Sequence, residues 1–209
     1  MKKISKKKHL EMLIQNIPKH QNPNVSLEQY PTSSSIAADL LWNAYSLGDI
    51  QDQNIIDLAC GTGILAIASS LLDAKKVLGI DIDKSSINIA EDVSNKMNLK
   101  NIDFLVKDIT KDTLDYKCDT LIQNPPFGSQ ERSKKGIDIK FIDVASKMAD
   151  VIYSFHMAST HDFIFDYFEN LGMTISHEFK YRFPISKIYD FHTQDVKNVD
   201  VIVFRVENF

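Results

Sequence analysis

The sequence predicts an α/β protein with a doubly wound, mostly parallel seven-stranded sheet. From residue 54 onward, short apolar runs alternate with segments of helical spacing, which is typical of a parallel sheet covered by helices on both faces. A turn that contains Gly61 and Gly63 joins the first apolar run to the first of these helices. Near its end, the chain changes to strict alternation of apolar and polar residues, which indicates a half-solvated strand.

The strands and helices can be placed in chain order. Strands are predicted at 54–59, 75–81, 101–108, 118–124 and 150–157, and helices at 63–72, 84–97, 138–149 and 160–171. The alternating run "MTISHEFKYRFP" (173–184) places Ile175, Phe179 and Phe183 on one face. The run "DVIVFRV" (200–206) follows it without a helix. The two runs are therefore expected to form an antiparallel hairpin at the edge of the sheet.

The first 50 residues are predicted to form a helical extension, followed by the main domain at 51–209. The first 20 residues carry six lysines against one glutamate, and their apolar residues follow helical spacing up to Pro18. A second helix is expected through residue 49, with Thr32 or Ser33 as its N-cap. The basic start can contact phosphates, although a solvated helix face explains it equally well.

Composition narrows the class of protein. With 209 residues, 44% of them hydrophobic, and a net charge of −4, the chain is expected to form a globular domain and not a general polyanion binder. Cys60 and Cys118 lie in unrelated contexts, so neither a disulfide framework nor a metal site is expected. The sequence has no run of apolar residues long enough for a membrane span and no secretory signal pattern. We therefore expect a cytoplasmic protein without a membrane partner.

Three aspartates lie at the ends of the first three predicted strands and suggest a cofactor. Asp57 precedes the glycine turn of "DLACGTGILA" (57–66), and Asp81 and Asp108 end the next two strands. The amino, ribose and adenine groups of S-adenosylmethionine (SAM) all donate hydrogen bonds, so three acceptors at one sheet edge suit it. Each aspartate alone can instead cap the following helix. The segment "GTGILA" also fits the dinucleotide fingerprint, with Asp81 about 20 residues beyond Gly61, so a NAD-dependent oxidoreductase stays open.

The stretch "QNPPFGSQ" (123–130) ends the fourth predicted strand in an unusual way. The prolines stop the strand because they have no N–H to donate. The side chain of Asn124 then lies beside the glycine turn, and its oxygen and the Pro125 carbonyl can accept the two N–H groups of an aromatic amine. Phe127 offers a face on which a purine can stack. The pattern predicts a site of amine methylation, although an Asn-Pro-Pro tripeptide can also be a simple turn.

Six segments together resemble a known family. They are "LEQYPT" (27–32), "DLACGTG" (57–63), "GIDID" (79–83), "NPPFG" (124–128), "GIDIKF" (136–141) and "YSFHMAS" (153–159). The chain resembles the class I, Rossmann-like SAM-dependent N6-adenine methyltransferases. It is most similar to the methyltransferase-like protein five family, which methylates an adenosine of small-subunit ribosomal RNA.

This resemblance implies specific residue roles. It implies that the catalytic residues are Asn124, Pro125, Pro126 and Phe127. It implies that SAM is bound, beneath the N-terminal extension, by Gln29, Thr32, Asp57, Ala59, Cys60, Gly61, Thr62, Gly63, Ile64, Asp81, Ile82, Asp108 and Ile109. Two positions depart from the family, since Ala59 replaces its first loop glycine and Met157 replaces a usual lysine. These departures bear on SAM binding and on RNA contact, respectively.

The resemblance also implies partners. The family acts on RNA together with a small zinc-binding activator of the Trm112 type, which we expect to add a parallel strand to the third strand, at the sheet edge. Related Asn-Pro-Pro-aromatic sites methylate DNA adenine, guanine N2 or a protein glutamine, so these acceptors remain alternatives. A non-catalytic scaffold is a further alternative, against which the intact 124–127 turn argues.

Overall fold

The computed structural model describes residues 4–20, 31–127, 136–186 and 196–208. In chain order its elements are α1 (Lys7–Ile14), α2 (Ser34–Ser46), β1 (Asn54–Leu58), α3 (Ile64–Leu71), β2 (Lys76–Asp81), α4 (Lys84–Lys96), β3 (Ile102–Val106), β4 (Cys118–Gln123), α5 (Ile137–Ala145), β5 (Ala149–Met157), α6 (His161–Asn170), β6 (Thr174–Ser186) and β7 (Val196–Glu207). Helix α5 ends four residues before the predicted boundary, and β5 begins one residue earlier than predicted.

Seven strands form one mixed sheet in the order β3–β2–β1–β4–β5–β7–β6. The first five strands of this order run parallel, and β7 is antiparallel to both of its neighbours. The predicted doubly wound sheet with an antiparallel C-terminal hairpin is confirmed. The strand order reverses between β1 and β4, and ligands of open parallel sheets bind beyond the carboxyl ends of the strands at such a point.

Helices cover both faces of the sheet. One buried cluster joins α1, α2 and α3 to the sheet, and a second cluster joins α5 and α6 to the opposite face. The apolar runs of β1 and β4 are buried because each of these strands is covered on both sides. The parallel strands therefore read as continuous apolar segments and not as alternating ones.

The N-terminal helices share the core of the sheet. Leu10 and Ile14 of α1 and Leu40 and Leu41 of α2 are fully buried in the same cluster as α3. Ser33 caps α2, since its hydroxyl accepts a hydrogen bond from the Ile36 N–H at 3.3 Å. Of the two cap residues that the sequence left open, the structure selects Ser33.

Strand β6 departs from the predicted alternation. Its register with β7 shifts between Ile175 and His177, as expected of a β-bulge. As a result, Ile175 packs against the α5 and α6 side of the sheet, whereas Phe179 and Phe183 pack against the α1 to α3 side. The prediction that these three apolar residues share one face was wrong, because one extra residue reverses the side of the sheet to which a side chain points.

Two further properties concern the described ranges alone. Among those residues, no helix combines the length and the apolar character needed to cross a bilayer. The same ranges contain no group of three or more histidine, cysteine, aspartate or glutamate residues arranged to hold a metal ion.

Candidate active site

The glycine turn between β1 and α3 is held in left-handed backbone conformations. Gly61 and Gly63 have φ angles of 54° and 83°, and Ala59 has a φ of 61°. Glycine adopts this region without strain, whereas the Cβ of an alanine is disfavoured there. Ala59 is therefore a strained position.

Asp57 lies beneath the turn and is 1% exposed. Its Oδ2 accepts a hydrogen bond from the Ala66 N–H at 2.8 Å, which satisfies a free amide in the first turn of α3. Its Oδ1 is buried and has no hydrogen-bond partner within the described ranges. Burial raises the pKa of this carboxyl from 3.8 to about 7. A buried acceptor of this kind suits a cationic donor, such as an amino group, which would both pair with Oδ1 and favour the ionised carboxylate.

Asp81 ends β2 and connects that strand to the glycine turn. Its Oδ2 accepts from the Gly61 N–H at 2.7 Å, and its Oδ1 accepts from the Asp83 N–H at 2.8 Å. Burial raises the pKa of Asp81. Each carboxylate oxygen keeps a further lone pair, so both can still accept from a pair of hydroxyl groups.

Asp108 is engaged in its own turn. Its Oδ1 accepts from the backbone N–H and the hydroxyl of Thr110, at 2.9 and 2.7 Å, and its Oδ2 pairs with Lys111 at 2.9 Å. These hydrogen bonds, led by that of Thr110, lower the pKa of Asp108 to about 2. The carboxylate is thus ionised and acts as a local cap. The neighbouring Ile109 packs against the second core cluster, and Ile82 is 45% exposed.

Asn124 follows β4 at the same edge of the sheet. Its Nδ2 donates a hydrogen bond to Thr32 Oγ1 at 3.0 Å. Pro125 is buried, while Pro126 and Phe127 are half-buried, and Phe127 packs against the first core cluster. Because Nδ2 is bound to Thr32, the oxygen is the end of the Asn124 amide that is left to accept a hydrogen bond. The two prolines stiffen the backbone of this turn.

The strand register brings most of the predicted site residues together at the carboxyl ends of the parallel strands. Leu58 of β1 pairs with both Ile80 of β2 and Gln123 of β4, so the residues that follow these three strands are neighbours. Cys60 and Thr62 belong to the glycine turn, and Ile64 is the first residue of α3. Cys60 is buried, and burial raises the pKa of its thiol. Gln29 lies outside the described residues.

A family comparison identifies this arrangement. Residues 33–150 match the model of the methyltransferase small domain. The chain belongs to this methyltransferase family. An uncharacterized protein of Methanocaldococcus jannaschii, MJ0284, is 40% identical over 97% of this chain and 94% of that protein. The rRNA N(6)-adenosine-methyltransferase METTL5 of Danio rerio is 37% identical over 95% of this chain and 96% of that protein.

Solved structures agree with the fold of this methyltransferase. The putative RNA methyltransferase PH1948 from Pyrococcus horikoshii superposes with a TM-score of 0.87 at 30% identity, and 98% of each chain is covered. The cofactor of this methyltransferase is SAM. The dinucleotide fingerprint in "GTGILA" therefore does not indicate a NAD-dependent oxidoreductase.

Two features of the methyltransferase site were not predicted from the sequence. The first is the close approach of the Phe104 ring to two glycines. A Cβ on Gly79, in the middle of β2, would lie 2.5 Å from Cδ1 of Phe104, so glycine is required to seat this ring. A Cβ on Gly63 would lie 3.2 Å from two carbons of the same ring, so Phe104 packs against the glycine turn. A glycine in the middle of a strand is the signal that indicates such a close approach.

A buried polar chain lies behind the Asn124–Phe127 turn. Gln123 Nε2 donates to Ser154 Oγ at 2.9 Å, and Ser154 Oγ lies 2.7 Å from His156 Nε2. Burial lowers the pKa of His156 to about 3, so the ring is neutral. The Ser154 oxygen has two lone pairs, so besides accepting from Gln123 it either accepts from or donates to His156 Nε2, according to the tautomer of the ring. The position of Gln123, immediately before Asn124, is thus fixed by side chains of β5.

Proposed function

We propose that this protein transfers the methyl group of SAM to the N6 amino group of an adenosine in ribosomal RNA of the small subunit. The observation that carries the proposal is the position of Asn124, directly after β4 and next to β1 and its glycine turn, with Nδ2 as the end of the amide that is bound to Thr32. The METTL5 relatives from Danio rerio and Drosophila melanogaster, 37% and 32% identical over most of the chain, are named rRNA N(6)-adenosine-methyltransferases.

The chemistry requires help from the protein because an adenine amino group is a weak nucleophile. Its lone pair is delocalised into the ring. The Asn124 side-chain oxygen and the Pro125 carbonyl accept its two N–H groups, which favours pyramidal nitrogen and stabilises the positive charge that develops there. Bound SAM supplies an electrophilic methyl group on a sulfonium. As the C–N bond forms and the C–S bond breaks, the nitrogen becomes cationic, and it then releases a proton without a strong base.

We assign the groups that bind SAM to residues at the carboxyl ends of β1, β2 and β3. Asp57 would pair with the amino group of SAM through its unpartnered Oδ1, and the 59–64 turn would hold the methionine part. Asp81 would accept from the ribose hydroxyls. Asp108 and Ile109 would contact the adenine, with Ile82 on its exposed side. Since the Asp108 carboxylate is already bonded to Thr110 and Lys111, we expect its contribution to SAM binding to be smaller than that of Asp57.

The N-terminal extension is proposed to cover this site. His20 Nε2 lies 3.1 Å from Asp83 Oδ2 and 2.7 Å from Ser85 Oγ, at the start of α4. Thr32 contacts Asn124 beyond β4. Residues of the extension therefore contact the segments that follow β2 and β4, on both sides of β1, which is the arrangement expected of a cover. Gln29 belongs to the segment between these two anchors.

We further propose that a Trm112-type zinc-binding activator adds a strand to β3. Strand β3 is an edge strand, and Val106 is 41% exposed there. The Lys107 N–H donates to Asp81 of β2, and because successive amides alternate in direction, the Val106 N–H points to the open edge. An outward edge amide next to an exposed apolar side chain, as at Val106, suits β-augmentation.

The partner proposal has a direct test. Val106→Pro removes an outward donor while leaving the Lys107 bond to β2 in place, whereas Val106→Ala keeps the donor and serves as the matched control. Co-expression with a Trm112-type protein should recover a complex with the wild type and Val106→Ala, and less complex with Val106→Pro. Equal recovery of all three would remove β3 from the interface. Full activity and monodispersity of the wild-type chain alone would contradict the need for an activator.

The function itself is tested by methyl transfer from labelled SAM, with and without the activator. Deproteinised small-subunit RNA, large-subunit RNA, DNA and a protein extract are offered side by side, and the labelled product is identified. Label in N6-methyladenosine of small-subunit RNA is the expected result. Label in large-subunit RNA overturns the subunit assignment, and label in DNA, guanine N2 or glutamine overturns the substrate. Asn124→Ala should abolish transfer while SAM affinity stays within about twofold of wild type.

A further inference from the structure

The hydrogen bond between Asn124 Nδ2 and Thr32 Oγ1 joins two residues that are 92 positions apart. Thr32 is only 7% exposed and Asn124 is half-buried, so this contact is partly shielded from water. A shielded hydrogen bond to a side chain at the reacting end of the site restrains that side chain more than a contact in solvent does. The contact therefore bears on the orientation of Asn124.

Thr32 is itself held by a rigid element. The following residue, Ser33, caps α2 through its hydroxyl, and its carbonyl accepts from the Ala37 N–H at 2.9 Å. Ala37 and Leu40 are fully buried in the core cluster of α1 to α3. Because Ser33 supplies the cap, the hydroxyl of Thr32 is left for the contact with Asn124. Its position is thus set by a packed helix and not by a loop alone.

An asparagine side chain has two ends of opposite character. Its oxygen accepts hydrogen bonds and its nitrogen donates them, and the two ends exchange when the terminal torsion, which is broad, turns by 180°. With Nδ2 on Thr32, the oxygen is directed away from the threonine. In the reverse orientation, Asn124 would present N–H groups to an incoming amino group, so two donors would face each other.

We propose that Thr32 is a positioning residue for methyl transfer: its hydroxyl holds the Asn124 side-chain amide in place, and the orientation in which it accepts from Nδ2 is the one that also satisfies the acceptor amine, because the amide oxygen then faces that amine. This inference rests on the proposed function, in which Asn124 accepts a hydrogen bond from the amine that is methylated. It gives Thr32 a role in the chemical step, in addition to the cofactor contact implied by resemblance. Preorganised orientation of this kind lowers the barrier of the step itself.

The kinetic test uses Thr32→Val, which keeps the shape of the side chain and removes the hydroxyl. At saturating SAM and RNA, kcat should fall roughly tenfold, the loss typical of one shielded hydrogen bond. Thr32→Ser should recover kcat to within about threefold of wild type, since it restores the hydroxyl. In an Asn124→Ala background, Thr32→Val should add no further loss, because the group that it orients is already gone.

Thr120→Val is the matched control. The Thr120 hydroxyl is buried on β4 and donates to the Asp49 carbonyl at 2.8 Å, away from Asn124. This variant loses a buried hydroxyl of the same kind, and its kcat should stay at the wild-type value. An equal kcat loss in both valine variants would mean that general weakening of the fold, and not orientation of Asn124, explains the effect.

A readout without methyl transfer completes the test. The side-chain amide of Asn124 is followed by ¹⁵N NMR and assigned by its disappearance in Asn124→Asp. In the wild type and Thr32→Ser, its two hydrogens should exchange slowly and have separate, dispersed shifts. In Thr32→Val, they should move toward the shifts of an exposed asparagine, while the Asn43 side-chain amide, which donates to the Asp39 carbonyl, should not change.

The outcomes separate the two proposals. A wild-type kcat in Thr32→Val, or a loss that disappears when SAM is raised, would overturn the positioning role. An Asn124 amide signal that is unchanged in Thr32→Val would do the same, whatever the enzyme methylates. If the wild type methylates another planar amine, the proposed substrate fails; the same variant series on that amine then supports the positioning role if kcat falls and contradicts it if kcat does not.

Discussion

Asp57 and Ala66 are joined by a buried hydrogen bond in which only one oxygen of the carboxylate takes part. Oδ2 accepts from the amide in the first turn of α3, at 2.8 Å, while Oδ1 is buried and has no partner in the ranges that the structure describes. A half-satisfied carboxylate destabilises the ligand-free protein when it is ionised. The same oxygen is ready to accept a cationic amino group, so the feature connects stability to cofactor binding.

The stability of the ligand-free protein should decrease as the pH rises from about 4 to about 7. The pKa of Asp57 is raised from 3.8 to about 7 in the folded state, so between these values the folded protein holds a proton that the unfolded chain has lost. Asp81, whose pKa burial also raises, adds to this slope. Urea unfolding at pH 5, 6, 7 and 8 measures it. Asp57→Asn should flatten the slope, whereas the exposed-site control Asp103→Asn should not.

SAM affinity should change with pH in the opposite direction. The ionised Asp57 pairs with the amino group of SAM, so affinity should increase as the pH rises from about 5 to 7, where the carboxyl with a pKa of about 7 loses its proton and a free α-amino group, with a pKa of about 8, keeps its own. Calorimetric titration with SAM across this range measures the effect. Asp57→Asn should bind SAM more weakly and without this pH dependence. A pH dependence retained in the variant would assign it to another group.

Ala59→Gly should stabilise the protein or tighten SAM binding. With a φ of 61°, Ala59 occupies a left-handed conformation that disfavours a Cβ by about 1–2 kcal/mol, and the greater freedom of glycine in the unfolded chain offsets part of the gain. We expect a net gain of up to about 1 kcal/mol, divided between the free energy of unfolding and SAM affinity. Ala68→Gly, within α3, should instead destabilise, and a loss in both variants would contradict strain at Ala59.

The features predicted correctly from the sequence are those set by neighbouring residues. The parallel strands are short apolar runs because both of their faces are buried, and those runs also place Asp57 and Asp81 near the ends of β1 and β2. Asp108 shows the limit of this reasoning. A carboxylate after a strand is equally suited to a ligand or to its own turn, and only the structure shows that Thr110 and Lys111 occupy it.

Contacts between distant residues were not predictable from spacing. Thr32 and Asn124 lie 92 positions apart, and no periodicity connects them. The β6 bulge was hidden for a different reason, because Ile175 and Phe179 obey perfect alternation in the sequence. An inserted residue leaves the pattern of residue types unchanged while it reverses the sheet face, so only the pairing with β7 shows it.

Gly79→Ala should destabilise the protein and weaken SAM binding together. The added Cβ would lie 2.5 and 2.7 Å from two ring carbons of Phe104, so the ring must move. Overpacking of this kind costs about 1–3 kcal/mol, and the displaced ring also supports Gly63. Urea unfolding and SAM titration measure the two effects. The double variant Gly79→Ala/Phe104→Leu should recover part of both, with Phe104→Leu alone as the reference; unchanged stability in Gly79→Ala would contradict the close approach.

Asp49→Asn should destabilise the fold by about 3 kcal/mol, because it leaves the Arg205 guanidinium buried with only part of its neutralising charge. Asp49 accepts from Arg205 Nε at 2.7 Å and Nη2 at 3.0 Å and from the Tyr153 hydroxyl, and both charged side chains are more than nine-tenths buried. Because Glu207 is a second partner of Arg205, the loss of unfolding free energy should be smaller than that for a buried charge with no partner.

The control for this prediction is the exposed pair between Arg182 and Asp200, in which the side chains are 71% and 70% exposed. Asp200→Asn should change the free energy of unfolding by less than about 0.5 kcal/mol, since solvent screens such pairs. The double variant Asp49→Asn/Arg205→Met should lose less than the sum of the single variants, because no buried charge then lacks its partner. Additive losses, or equal losses at Asp49 and Asp200, would show that a buried Arg205 charge without its partner is not the source of the destabilisation.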